Sequence, residues 1–70
     1  GTIEDCVIFR GVRIEKGAVL KGCVIGQNSV IHSGAKLECV ITDKEVEIGA
    51  DRELSGHPTF PYVISKGAKV

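Results

Sequence analysis

The stretch IEKGAVLKGCVIGQNSVIHSGAKL, residues 14–37, decides the fold. Its aliphatic residues Ile14, Leu20, Ile25, Ile31 and Leu37 follow one another at steps of six, five, six and six. The same steps reach Ile8 and Ile3 upstream and Thr42, Ile48 and Leu54 downstream. The repeat is therefore 17 residues long, with three registers: Ile3, Leu20, Leu37, Leu54; Ile8, Ile25, Thr42; and Ile14, Ile31, Ile48. Nine of these ten positions hold Ile or Leu. The chain has 8 Ile, 9 Val and 3 Leu in 70 residues, so chance would fill only about three of the ten with an aliphatic residue.

Four residues after a leading aliphatic stands Val12, Ala18, Ser29, Ala35 or Val46, with Ala68 in a late unit that starts at Ile64. The residue just before is Gly11, Gly17, Asn28, Gly34 or, later, Gly67, types that tolerate a positive φ. Each unit thus reads as a short strand, a corner and a small inward side chain beside the corner, with three units to one triangular turn. No 3.6-residue apolar period is sustained, and Gly recurs too often for helix interiors. The pattern resembles the hexapeptide-repeat family, whose chains form a single-stranded left-handed parallel β-helix. That resemblance implies an all-β fold of about 3.5–4 coils stacked through parallel strands about 4.8 Å apart. It overrides the usual right-handed rule for parallel crossovers.

Residues 1–70 are expected to form one domain. Nine Lys and Arg balance nine Asp and Glu, so the chain is not built to neutralise a run of phosphates and no nucleic-acid partner is expected. No apolar run approaches the roughly 18 residues of a membrane span, and no signal peptide is visible. The absence of Met suggests a piece of a longer or processed chain. Three cysteines without a secretory signal point to a reducing, cytoplasmic setting.

The five-residue units have one residue fewer, so their small inward slots fall on Cys6, Cys23 and Val40. The next residues, Val7, Val24 and Ile41, then point outward and stack on one face. A solvent-facing ladder of aliphatics marks a docking surface for another domain or subunit. A one-residue slip of register would turn the same three residues inward.

The other chemistry-bearing residues give weaker signals. Cys6, Cys23 and Cys39 are spaced 17 and 16 apart, which matches no zinc pattern. They read as core filler with one exposed thiol at a corner, and a Cys6–Cys23 disulfide is open on spacing alone. His32 follows Ile31 at an outward strand position, and His57 falls in a loop; both read as ordinary surface residues. Arg10, Arg13, Lys16, Lys21, Lys36 and Lys44 lie scattered among acids, as on a solvated mixed-charge surface, although two or three together would suit a phosphate-bearing effector. No catalytic, cofactor-binding or metal residue is assigned.

After Leu54 the register fails. The segment SGHPTFPY, residues 55–62, carries both prolines and two of the three aromatics. Pro removes a ladder donor, so residues 55–63 are expected to form an inserted loop before the last coil, whose aromatics cover the helix end or meet a partner. From Leu54 to Ile64 is ten residues where the repeat allows five. Thr42 at a core aliphatic position and Arg52 at a small inward one put the third coil's register in question.

Three strings narrow the resemblance: FRGVRIEKGAVLKGCVIGQNSVI from Phe9, LECVITDKEVEIG from Leu37, and the ending REL-SG-HPTFPYVISKGAKV from Arg52. The ITDKxVxIG run at Ile41 to Gly49 and the PxVIxKGxxV ending at Pro61 to Val70 are its specific parts. Together they are similar to the C-terminal β-helix of bacterial glucose-1-phosphate adenylyltransferases (ADP-glucose pyrophosphorylases), and the loop at Gly56 is most like the GlgD-type regulatory subunits of glycogen biosynthesis. The resemblance implies a parent chain whose N-terminal nucleotidyltransferase domain, with Mg²⁺, joins ATP and glucose 1-phosphate into ADP-glucose and pyrophosphate. It implies a cytoplasmic homo- or hetero-oligomer in which the β-helix packs on that domain and on partner subunits. The 70 residues hold no Gly-rich nucleotide loop, so no activity of their own and no cofactor are expected. The alternative is a piece of a hexapeptide acyltransferase, in which His32 would be the candidate base.

Overall fold

A computed structural model describes residues 2–70. Eleven short strands form three parallel sheets, each making one face of a triangular coil. The first face stacks β1 (Thr2–Glu4), β4 (Val19–Lys21), β7 (Lys36–Glu38) and β10 (Glu53–Ser55). The second stacks β2 (Val7–Ile8), β5 (Val24–Ile25), β8 (Val40–Thr42) and β11 (Tyr62–Ile64). The third stacks β3 (Arg13–Ile14), β6 (Val30–Ile31) and β9 (Glu47–Ile48), with Lys69 bridged to Glu47 beyond them. This is the parallel β-helix that the 17-residue repeat predicts.

The registers match residue for residue. Ile3 pairs with Leu20, Leu20 with Leu37 and Leu37 with Leu54. Ile14, Ile31 and Ile48 stack in the same way. From the second coil on, the leading aliphatics lie in the core with Ala18, Cys23, Ala35, Val40 and Val46 between them. Each coil buries its inner face only against its neighbours, so the core is a continuous column.

Each corner other than the one replaced by the insertion between β10 and β11 turns on one left-handed residue. Gly11, Gly17, Asn28, Gly34 and Gly67 have positive φ, as the sequence indicates. So do Gly22 and four residues that carry side chains: Asp5, Cys39, Glu45 and Asp51. Glu45 shares its column with Gly11, Asn28 and Gly67, and stacking forces it into the conformation that those residues adopt more readily.

The third coil keeps its register. Thr42 is buried in line with Ile25 and Ile64, and its Oγ accepts the Gly26 N–H at 3.0 Å. Buried Ser29 is likewise satisfied: its hydroxyl donates to the Asp43 carbonyl and accepts from the Val46 N–H. No buried side-chain polar atom among the described residues lacks a partner. Arg52 does fall in the column of Ala18 and Ala35, but it stands in the last coil and is exposed.

The insertion is tighter than its sequence outline. Ser55 closes β10 and Tyr62 opens β11, so residues 56–61 lie between the strands. Ile64 then pairs with Thr42, so the coil resumes its register after five extra residues. Gly56 and Tyr62 donate their N–H groups to the carbonyls of Glu38 and Cys39, which pinch the loop at its base. A Cβ on Gly56 would run into the Cys39 carbonyl and the Tyr62 nitrogen, so this position requires glycine. His57 and Phe60 exchange backbone hydrogen bonds around Pro58-Thr59. Phe60 is 85% exposed, so its ring does not cover the helix end.

Candidate interaction face

The three outer faces differ in chemistry. On the first, Glu4, Lys21 and Glu38 stand in one row and Val19, Lys36 and Glu53 in another. On the third, Arg13, Val30 and Glu47 stand in a row with Lys69 beyond them. The second face carries no charged residue in any of its strands.

The outward row of that second face is Val7, Val24, Ile41 and Val63, paired in register. Alternation fixes its orientation: Cys23 and Ile25 on either side of Val24, and Val40 and Thr42 on either side of Ile41, are buried. The one-residue slip is therefore excluded, and the three residues singled out in the sequence face outward together. Val7 is 55% and Val63 67% exposed, while Val24 and Ile41 are half-buried between their neighbours in the ladder. Exposed Phe9 follows β2. Val63 escapes the sequence reading because the insertion breaks the 17-residue count. The repeated pairs Val7-Ile8, Val24-Ile25 and Val63-Ile64 are the signal that finds it.

His32 lies on the third face between two acids of other coils. Its Nδ1 is 3.2 Å from Glu15 Oε1 and its Nε2 is 2.7 Å from Glu47 Oε2. Glu15 Oε1 also accepts the Ser33 N–H at 3.1 Å. The hydrogen bonds to Glu47 and Glu15 hold the imidazole above its ordinary pKa, and the bond from His32 holds Glu15 below the usual carboxylate value. Both ring nitrogens are thus engaged. His57 Nδ1 accepts the Thr59 N–H at 3.3 Å and stabilises the loop turn. No cluster of three or more metal-ligating side chains forms among the described residues.

All three cysteines are free thiols. Cys6 and Cys23 are neighbours in one inward column, where the Cys23 N–H donates to Cys6 Sγ at 3.4 Å. Burial pushes the Cys23 thiol up. Cys39 sits at a corner with positive φ. A shallow groove on the first face is lined by Lys21 and Lys36 but equally by Glu38 and Glu53, and this balance does not make an anion site.

Comparison with known proteins agrees with this architecture. Residues 1–58 match the family described as GlmU-like, C-terminal hexapeptide. The chain belongs to that family of hexapeptide-repeat β-helix domains. It is 43% identical over 67 residues to the glycogen biosynthesis protein GlgD of Bacillus subtilis (strain 168), which covers 96% of this chain and 20% of that protein. It is 33% identical over 73 residues to the glucose-1-phosphate adenylyltransferase of Corynebacterium jeikeium (strain K411), covering 100% of this chain and 18% of the enzyme. The chain therefore spans about a fifth of the length of these relatives. No solved structure matches it significantly.

Proposed function

We propose that this chain is the assembly and regulatory β-helix of a glucose-1-phosphate adenylyltransferase serving glycogen biosynthesis. In this reading the chemistry, ATP and glucose 1-phosphate to ADP-glucose and pyrophosphate with Mg²⁺, belongs to a separate N-terminal nucleotidyltransferase domain. The β-helix binds no cofactor and acts in the cytoplasm by holding that domain and partner subunits in place. The observation that carries the reading is the charge-free row Val7, Val24, Ile41 and Val63 on an otherwise charged solenoid. Such a row gains free energy by leaving water, at about 25 cal/mol per Å² of apolar surface covered. Identity to the two relatives across 96% and 100% of this chain supports the parent class.

The test is deletion of residues 2–70 from the intact protein. The reading expects altered subunit assembly and a changed response to effectors, with the isolated β-helix releasing no pyrophosphate from ATP and glucose 1-phosphate. Unchanged assembly and response would refute it. An acyltransferase reading needs a free histidine base, and nothing favours it here: His32 has both ring nitrogens committed and His57 is tied to Thr59.

A further inference from the structure

Two thiols stand one above the other inside the first two coils. Cys6 and Cys23 are consecutive members of the inward column that continues through Val40. Paired residues bracket them: Glu4 is in register with Lys21 two positions before, and Val7 with Val24 immediately after. Both thiols hold the same orientation, each Sγ donating to the carbonyl two residues back, Glu4 at 3.1 Å and Lys21 at 3.4 Å. The Cys23 N–H reaches Cys6 Sγ at 3.4 Å, and the Val7 N–H donates to the Cys23 carbonyl at 2.9 Å. Cys23 is buried, and Cys6 packs against the same core. Neither the outward row nor the parent reaction uses either thiol.

The spacing allows a bond and strains it. Stacked coils place matching Cα atoms about 4.8 Å apart, inside the roughly 4.4–6.8 Å that disulfides span. Matching Cβ atoms stand at about the same spacing, whereas a disulfide draws them to roughly 3.5–4.5 Å. Closing the bond therefore pulls the first coil toward the second, against the Glu4–Lys21 and Val7–Val24 pairing on either side. A disulfide strained in this way is readily reduced, which marks a labile bond rather than a permanent one. Cys39 belongs to a different column. Its sulfur lies over the Gly22 corner, 3.7 Å from where a Cβ on that glycine would stand.

We infer that Cys6 and Cys23 form a reversible redox clip between the first and second coils, closed by a low-molecular-weight disulfide such as oxidised glutathione and opened by the corresponding thiol. Closing proceeds by two exchanges. Cys6 loses its proton to water and attacks one sulfur of the oxidant. It keeps one half as a mixed disulfide, and the released thiolate regains a proton from water. The Cys23 sulfur then attacks Cys6 Sγ, expels the second thiolate and passes its proton to it. Two protein thiols are oxidised, and one oxidant disulfide is reduced to two thiols. Burial pushes the Cys23 thiol up, so its thiolate is scarce and the second exchange is the slow one. In the reducing setting proposed for this chain, disulfides are transient and redox-sensing rather than structural. The clip joins the strands that carry Val7 and Val24 but does not depend on what docks there.

Peptide mapping of the intact protein by mass spectrometry tests it, after incubation with oxidised glutathione and blocking of the remaining thiols. Trypsin cuts at Arg10, Arg13, Lys16 and Lys21, which leaves Cys6 and Cys23 on separate peptides and Cys39 on a third, residues 37–44. The expected product has the Cys6 and Cys23 peptides joined within one chain, and an excess of reduced glutathione separates them. Cys39→Ser is expected to leave this pair in place. Cys23→Ser is expected to stop at the mixed disulfide on Cys6, raising that adduct at least about tenfold over the parent. Free Cys6 and Cys23 after the treatment, a joined pair that contains Cys39 instead, or a Cys6–Cys23 bond that persists in excess reduced glutathione overturns the inference. The map of the parent chain alone decides among these outcomes, even where a serine variant fails to fold.

Discussion

Nε2 of His32 lies 2.7 Å from Oε2 of Glu47, while Nδ1 of the same ring lies 3.2 Å from Oε1 of Glu15, so one imidazole ties together three coils. A neutral ring donates from one nitrogen only, so the arrangement is complete only for the imidazolium. The raised folded pKa makes His32 stabilising below its usual 6.5, and that contribution is lost as pH rises through the higher folded value. Glu15 works in the opposite direction: its depressed pKa contributes stability above its usual 4.5, lost as pH falls through the lower folded value. Urea melts across pH should therefore show stability declining on the alkaline side of 6.5, and His32→Gln should remove that slope. An unchanged slope in the variant would break the link to His32.

The corners give a paired prediction. A Cβ on Gly11 would meet the Asn28 side chain stacked against it, whereas one on Gly17 finds the Gly34 nitrogen at 3.6 Å, ordinary contact. Both residues have positive φ, so both Ala substitutions destabilise, by about 1–2 kcal/mol from the backbone alone. Gly11→Ala should be the worse, because Asn28 must also move. Thermal melts of the two variants decide this.

Glu45 is an exposed residue held at φ 57°. Glu45→Gly should raise stability by about 0.5–1 kcal/mol, the left-handed strain relieved less the extra freedom of the unfolded chain. A loss of stability would mean that the Glu45 side chain contributes something beyond its corner.

In the core, Leu20→Ala should cost about 2–5 kcal/mol, because Leu20 is fully enclosed between neighbouring coils. Thr42→Val should change stability by less than about 1.5 kcal/mol, the net worth of the one hydrogen bond its hydroxyl accepts. The Gly26 N–H also donates to the Thr42 carbonyl, at 3.1 Å, so it keeps a partner when the hydroxyl is lost. Equilibrium unfolding of the two variants measures the contrast.

These residues also show what the sequence reveals and what it hides. Ladder residues such as Ile14, Ile31 and Ile48 are legible because burial selects residue type directly at a fixed spacing. Corners at Gly11 and Asn28 are legible because those residues favour positive φ. Cys39 and Glu45 do not, and they turn corners only because the stacked coils dictate it. The His32–Glu15 pair follows the repeat, but Glu47 lies 15 residues from His32 and reaches over from the neighbouring row. The outward aliphatic row shows through alternation at Val7, Val24 and Ile41, and Val63 is hidden by an insertion whose length no periodicity constrains.

The central claim is that the row through Val24 is a docking face. The most direct measurement is sedimentation velocity of the intact protein carrying Val24→Lys, with circular dichroism of the same sample. The account predicts native β-structure with lost or weakened association, because Val24 faces outward and a lysine there leaves the core intact while desolvating a charge in the interface. Native structure with association equal to that of the parent would contradict it.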